Sequence, residues 1–118
     1  RIEMNVRVRS GLGGLQYITK NMAPLFLMCD FDDIDVYIDP ASTHVNGKPL
    51  FLFYDNIPFG IGLSHHMFEI IPLFFSNLLL HISECPCQNG CPSCVGPEPE
   101  LGYGGKLETM AILKAILD

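Results

Sequence analysis

Positive charge is scarce in this chain: seven Lys and Arg stand against 13 Asp and Glu in 118 residues, a formal net charge of −6. A freestanding nucleic-acid binder neutralises phosphates with clustered Lys and Arg. The only local basic excess here is Arg1, Arg7 and Arg9, which reads as a solvated face or as part of something larger. Other signals are missing as well. His65 and His66 are adjacent, so they cannot share a helix face, and no H-E-x-x-H pattern accompanies them. Gly11, Gly13 and Gly14 lack the G-x-x-x-x-G-K-[ST] spacing of a phosphate cradle and read instead as a strand-to-helix turn. Asp30, Asp32, Asp33 and Asp35 lack the glycine and glutamate of an EF-hand loop, so a loop cluster or a helix cap is the better reading. No signal peptide, internal repeat or low-complexity linker is visible. The chain opens on Arg1 rather than methionine and closes at Asp118 within a helical pattern, which reads as a piece of a larger polypeptide.

Cysteine is the residue the sequence concentrates. Four of the five cysteines fall between Cys85 and Cys94, as C-P-C-Q-N-G-C-P-S-C. The C-x-C-x3-C-x2-C spacing lets two short chelate loops converge on one tetrahedral ion, and Zn2+ accepts four thiolates in closed structural sites. Gly90 is free to take positive φ, and Pro86 and Pro92 have φ already fixed, as sharp reversals require. Three alternatives compete. Two disulfides suit small secreted domains, but Cys85 and Cys87 are too close for an easy bridge and five cysteines leave one unpaired. An iron–sulfur cluster also takes four cysteines, at other usual spacings. A redox dithiol at Cys91 and Cys94 wants a helix to follow, whereas Gly96, Pro97 and Pro99 come next. Zinc is the favoured reading. Cys29 stands apart beside Asp30, Asp32 and Asp33, whose charges raise its pKa, and reads as a buried structural thiol.

A hydrophobic content of 48% supports one domain over 1–118 with a sizeable core. Residues 2–8 alternate Ile2, Met4, Val6 and Val8 with polar side chains, the period of a half-buried strand. A helix is expected from about Leu12 to Met28, kinked or broken at Pro24. Ile34–Ile38 and Leu50–Tyr54 read as an antiparallel pair, with Asn46-Gly47 supplying a reversal within a longer connection. Residues 62–83 form the densest apolar stretch. Glu69, Pro72, Ser76 and Asn77 interrupt it short of the ~20 residues a bilayer needs, so a helix buried on nearly all sides is expected and no membrane span. The last helix runs from about Gly105 to Leu117, with Leu107, Met110, Ala111, Leu113 and Leu117 on one side and Lys106 and Lys114 on the other. The fold class is therefore α+β: a small antiparallel sheet, about three helices and a four-cysteine loop before the C-terminal helix.

Taken in order, Ala23-Pro24-Leu25-Phe26-Leu27-Met28-Cys29-Asp30-Phe31-Asp32-Asp33-Ile34, Phe53-Tyr54-Asp55, Gly60-Ile61-Gly62-Leu63, the Cys85–Cys94 motif and Gly105-Lys106 resemble the MrfA-type zinc-binding domain, over roughly residues 10–118. That domain sits at the C-terminus of DEAD/DEAH-box-like superfamily 2 DNA helicases. Phe59 stands where the family commonly has the first of two adjacent glycines. The resemblance implies one structural Zn2+ held by Cys85, Cys87, Cys91 and Cys94. It also implies a bacterial, cytoplasmic parent that unwinds DNA 3′ to 5′ in DNA repair. ATP and Mg2+ would belong to that parent alone, because this chain has no Walker A sequence, DEAH-like box or arginine-finger segment and so should be no enzyme itself. Its expected partners are the motor domains of the same chain and, through them, DNA. A redox or iron–sulfur sensing module and a stand-alone interaction adaptor are the competing functions.

Overall fold

In the computed structural model, which describes residues 2–56, 63–87, 90, 91, 93–96 and 105–117, helix α1 runs over Ile2–Leu27. The expected strand at 2–8 is therefore helical, and the glycines after it are no turn. A short alternating window does not distinguish the two periods. Val8, Leu12, Leu15, Ile18 and Met22 recur at helical spacing, and Leu12, Leu15 and Ile18 are buried along that face. Pro24 lies within the last turn without ending the helix. The end comes at Met28, whose φ of 55° is left-handed, with the Cys29 N–H donating to the Pro24 carbonyl at 3.1 Å. That six-residue closure satisfies a terminal carbonyl the helix itself cannot.

Why α1 tolerates glycine is answered by its neighbour. Strand β1 (Ile34–Ser42), strand β2 (Lys48–Asp55), helix α2 (Leu63–Glu84) and helix α3 (Lys106–Leu117) follow α1 in order. A Cβ on Gly11 would lie 2.8 Å from the Glu108 carbonyl oxygen of α3, and one on Gly14 would run into the Thr109 side chain. The two helices thus approach backbone to backbone. Thr109 reinforces the contact by donating its hydroxyl hydrogen bond to the carbonyls of Gly11 and Gly105, at 3.2 and 2.8 Å. Ser10 caps α3: it accepts from the Gly105 N–H at 2.8 Å and faces Glu108 Oε1 at 3.2 Å.

The sheet is the expected antiparallel pair, two strands with Val36 opposite Phe53 and Ile38 opposite Phe51. Its alternation is half-buried, with Ile34 and Val36 inside and Tyr37, Leu52 and Tyr54 exposed. A 3-10 turn at Thr43–Val45 precedes Asn46 and Gly47, both at positive φ, so the reversal is local and the connection longer than two residues. Gln16 of α1 donates to the Val36 carbonyl at 2.7 Å, and Lys20 pairs with Asp35 at 3.2 Å, fixing the hairpin on α1. Asp30 begins the 3-10 turn Phe31–Asp33, and its N–H donates to Asp33 Oδ2 at 2.9 Å, the loop-cluster role expected of these acids.

Helix α2 departs from expectation in its faces. It runs 22 residues through Pro72, and its segment His65–Glu84 is long and apolar enough by length and composition to cross a membrane. Met67, Phe74, Phe75, Leu78 and Ile82 are nevertheless buried in the core, and Phe74 meets Phe26 of α1 edge to face at 4.9 Å. The outer face is open among the described residues: Phe68, Leu73 and Leu80 are exposed. The helix is thus one wall of the core rather than its centre. In α3 likewise, Thr109 and Leu113 face inward while Leu107 and Ala111 face out. Phe59 to Gly62 lie outside the described residues.

Candidate metal centre

The end of α2 delivers the cysteine loop, since Ile82 is anchored in the core and its carbonyl accepts from the Cys85 N–H at 3.2 Å. The chain then turns on Gly90 and Gly96, at φ 135° and 99°. Gly90 thus has the positive φ anticipated from sequence; Pro92 lies outside the described residues. Two backbone bonds at 3.0 Å, from the N–H groups of Cys94 and Gly96 to the Cys91 carbonyl, wind the second chelate segment into a tight knuckle. Gly96 packs against the Tyr17 ring, which a Cβ would approach to 3.2 Å. Cys94 and Val95 are buried in the main core.

This winding brings the four sulfurs together, all within 4.8 Å of one another. Sγ of Cys85 lies 3.3 Å from that of Cys91, Cys87 3.4 Å from Cys94, and Cys91 3.6 Å from Cys94. The edge of a tetrahedron built on Zn–S bonds of about 2.3 Å is about 3.8 Å. All the thiols are free here, and the four sulfurs converge on one point rather than standing as two bonded pairs at roughly 2.05 Å. The donor set therefore fits a four-coordinate thiophilic ion. Hydrogen bonds among the thiols spread their acidities. Cys91, receiving from Cys85, is lowered to about 7, whereas burial pushes Cys94 up to about 12.

Two side chains hold the loop from either side. His81, one turn from the end of α2, lies 2.6 Å through Nε2 from the Ser93 carbonyl, which accepts. Lys106, the first residue of α3, donates through Nζ to the carbonyls of Cys85 and Cys87 at 2.8 and 2.7 Å. Sequence reasoning placed Lys106 on an outward face and passed over His81. A signal existed for the lysine: a cation at a helix N-terminus opposes the macrodipole and calls for a negative neighbour.

The remaining candidates separate from the site. Among the described residues the four cysteines are the only group suited to a metal, so Asp30, Asp32, Asp33 and Asp35 form none. Cys29 is half-buried, its thiol raised by burial and then by Asp33, Asp30 and Asp55, which agrees with a structural role. His65 pairs with Glu69, at 3.6 Å on the surface of α2.

Residues 15–95 match the model of the MrfA Zn-binding domain. The chain belongs to that family. An uncharacterized ATP-dependent helicase, YprA of Bacillus subtilis, is 34% identical over 87 residues, covering 74% of this chain and 12% of the relative. The ATP-dependent helicase HRQ1 of Saccharomyces cerevisiae is 29% identical over 99 residues, covering 76% and 9%. Among solved structures, the DUF1998 helicase MrfA bound to DNA superposes with a TM-score of 0.82 at 31% identity, over 93% of this chain and 14% of that one. MrfA bound to DNA and AMPPNP gives 0.71 at 30%, over 86% and 13%. The chain thus spans about a tenth of the length of the curated relatives it matches, which come from a bacterium and a yeast.

Proposed function

We propose that this chain is a non-catalytic structural zinc module, a single domain over 1–118, at the C-terminus of a larger ATP-dependent superfamily 2 DNA helicase. Cys85, Cys87, Cys91 and Cys94 hold one Zn2+, whose service is to lock the loop between α2 and α3. The observation that carries this reading is the convergence of four free thiols to within 4.8 Å of one another, within a fold similar to that of the helicase MrfA. The parent works in the cytoplasm on DNA, unwinding 3′ to 5′ in repair. ATP and Mg2+ act only in its motor. The module braces that motor and helps position the strand, and its exposed Phe68, Leu73 and Leu80 are suited to contact with the rest of the polypeptide. The competing iron–sulfur reading predicts brown protein absorbing in the visible. Metal analysis of the purified chain decides between them: colourless protein with one equivalent of zinc supports the module, and iron with inorganic sulfide would overturn it.

A further inference from the structure

We propose that Lys106 is the positioning residue of the metal centre, clamping the carbonyls of Cys85 and Cys87 and balancing the charge of the metal-loaded thiolates, so that it sets how tightly the ion is held. The inference rests on the four-cysteine reading above. Its first support is geometric. A single ammonium spans the backbone carbonyls of two candidate ligand residues of the C-x-C segment, at 2.8 and 2.7 Å. Fixing both carbonyls fixes the backbone from which both thiolates project, the way outer groups orient metal ligands.

The second support is electrostatic. Lys106 is the first residue of α3, where the free N–H groups and the helix dipole repel a cation. Both of its acceptors are neutral carbonyls. The complementary negative charge is supplied by the site when filled, because four thiolates around a dication carry a net charge of −2. The third support is where the clamp is anchored. The preceding residue, Gly105, is buried and bonded to Ser10 of α1, and Thr109 ties the same turn to Gly11. Lys106 therefore links the loop to the closest helix contact of the fold, opposite the grip of His81 on Ser93.

The test uses the intact chain loaded with zinc, together with Lys106→Met, Lys106→Arg and, as a charge control on the exposed side of the same helix, Lys114→Met. Zinc content, release into a chromogenic chelator and the absorption spectrum of the Co2+-substituted form are measured for each. Lys106→Met is expected to keep one metal and a tetrahedral thiolate spectrum, because no sulfur is removed. It should nevertheless bind zinc roughly 10–100-fold more weakly, the usual loss when an outer-shell partner of a metal site is removed. Lys106→Arg should recover part of that loss and Lys114→Met none of it. If Lys106→Met cannot be obtained folded, Lys106→Gln, which keeps a donor and loses the charge, is read against Lys106→Arg. Release rates for the uncharged variant equal to the parent's, or an equal shift in Lys114→Met, would overturn the clamp while leaving the zinc reading intact. A parent chain that holds no thiolate-bound metal overturns both.

Discussion

Replacing Gly11 by alanine sets two known effects against each other, and the structure decides which wins. Alanine favours a helix interior over glycine by about 0.8–1 kcal/mol. At this position, however, the new Cβ would lie 2.8 Å from the Glu108 carbonyl oxygen and 3.1 Å from its carbon, where ordinary contact begins at 3.4 Å. Both are backbone atoms, so no rotamer relieves the clash and α3 must retreat by about 0.6 Å, the shortfall between those distances. Overpacking of this kind costs about 1–3 kcal/mol. The retreat also stretches the Thr109 hydroxyl bond to the Gly11 carbonyl, already 3.2 Å, and forfeits about 1 kcal/mol more. The net expectation is a loss of about 1–3 kcal/mol, or a melting temperature lower by about 4–12 °C for a domain of this size. Thermal unfolding followed by circular dichroism at fixed free zinc reads the shift. Asn21→Ala, at an exposed position of the same helix, reports the propensity effect alone and should be neutral or slightly stabilising. Gly11→Ala as stable as the parent would show that the glycines serve no close approach.

Three further outcomes follow from the site and the charge. Cys87→Ser and Cys91→Ser should purify with almost no zinc and in lower soluble yield, since filling a four-thiolate site contributes an apparent ~10–16 kcal/mol near neutral pH, whereas Cys29→Ser should keep a full equivalent; one zinc in Cys91→Ser would remove the ligand assignment. Protons compete with the metal for thiolate, and burial pushes the Cys94 thiol up to about 12; zinc loading should therefore release protons, and apparent affinity should weaken as pH falls from about 8 to 6 in a competition titration, a flat profile being the contrary result. Because the chain carries −6 and becomes still more negative on loading, its own affinity for single-stranded oligonucleotides at physiological salt should lie at or beyond ~10⁻⁴ M, and tight salt-sensitive binding in fluorescence anisotropy would contradict an accessory role.

What was legible in the sequence was what short spacing determines. The C-x-C-x3-C-x2-C cluster, the positive φ of Gly90 and the pairing of two β-branched and aromatic runs each depend on a few neighbouring residues, and each is present in the fold. What was misread depends on partners distant in sequence. Residues 2–8 alternate like a strand, yet they begin a helix that runs on through the buried Leu12, Leu15 and Ile18. Gly11 and Gly14 read as a strand-to-helix turn until α3, almost a hundred residues later, comes to lie against them. The apolar residues of α2 give no clue to which of them the domain itself covers, and the fold leaves Phe68, Leu73 and Leu80 outside. Lys106 reads as an ordinary surface lysine because its acceptors are backbone atoms, which carry no sequence identity at all.

The same contacts explain why the cysteine loop is part of the core and no appendage to it. Cys94 and Val95 are buried with the main cluster, and a Cβ on Gly14 would come within 3.1 Å of the Val95 Cβ. The small residues of α1 therefore admit two things at once, the backbone of α3 and the second chelate segment. Ser10 and Thr109 then lock the first turn of α3 in place, and from that turn Lys106 reaches back to the first chelate segment. Each half of the metal loop is thus tied to the α1–α3 crossing by a different element, one through buried apolar surface and one through hydrogen bonds. A metal ion closing the site in this position would transmit its rigidity directly into the helix contact. On the proposed reading, a zinc ion held by these four cysteines would stabilise the fold through that contact.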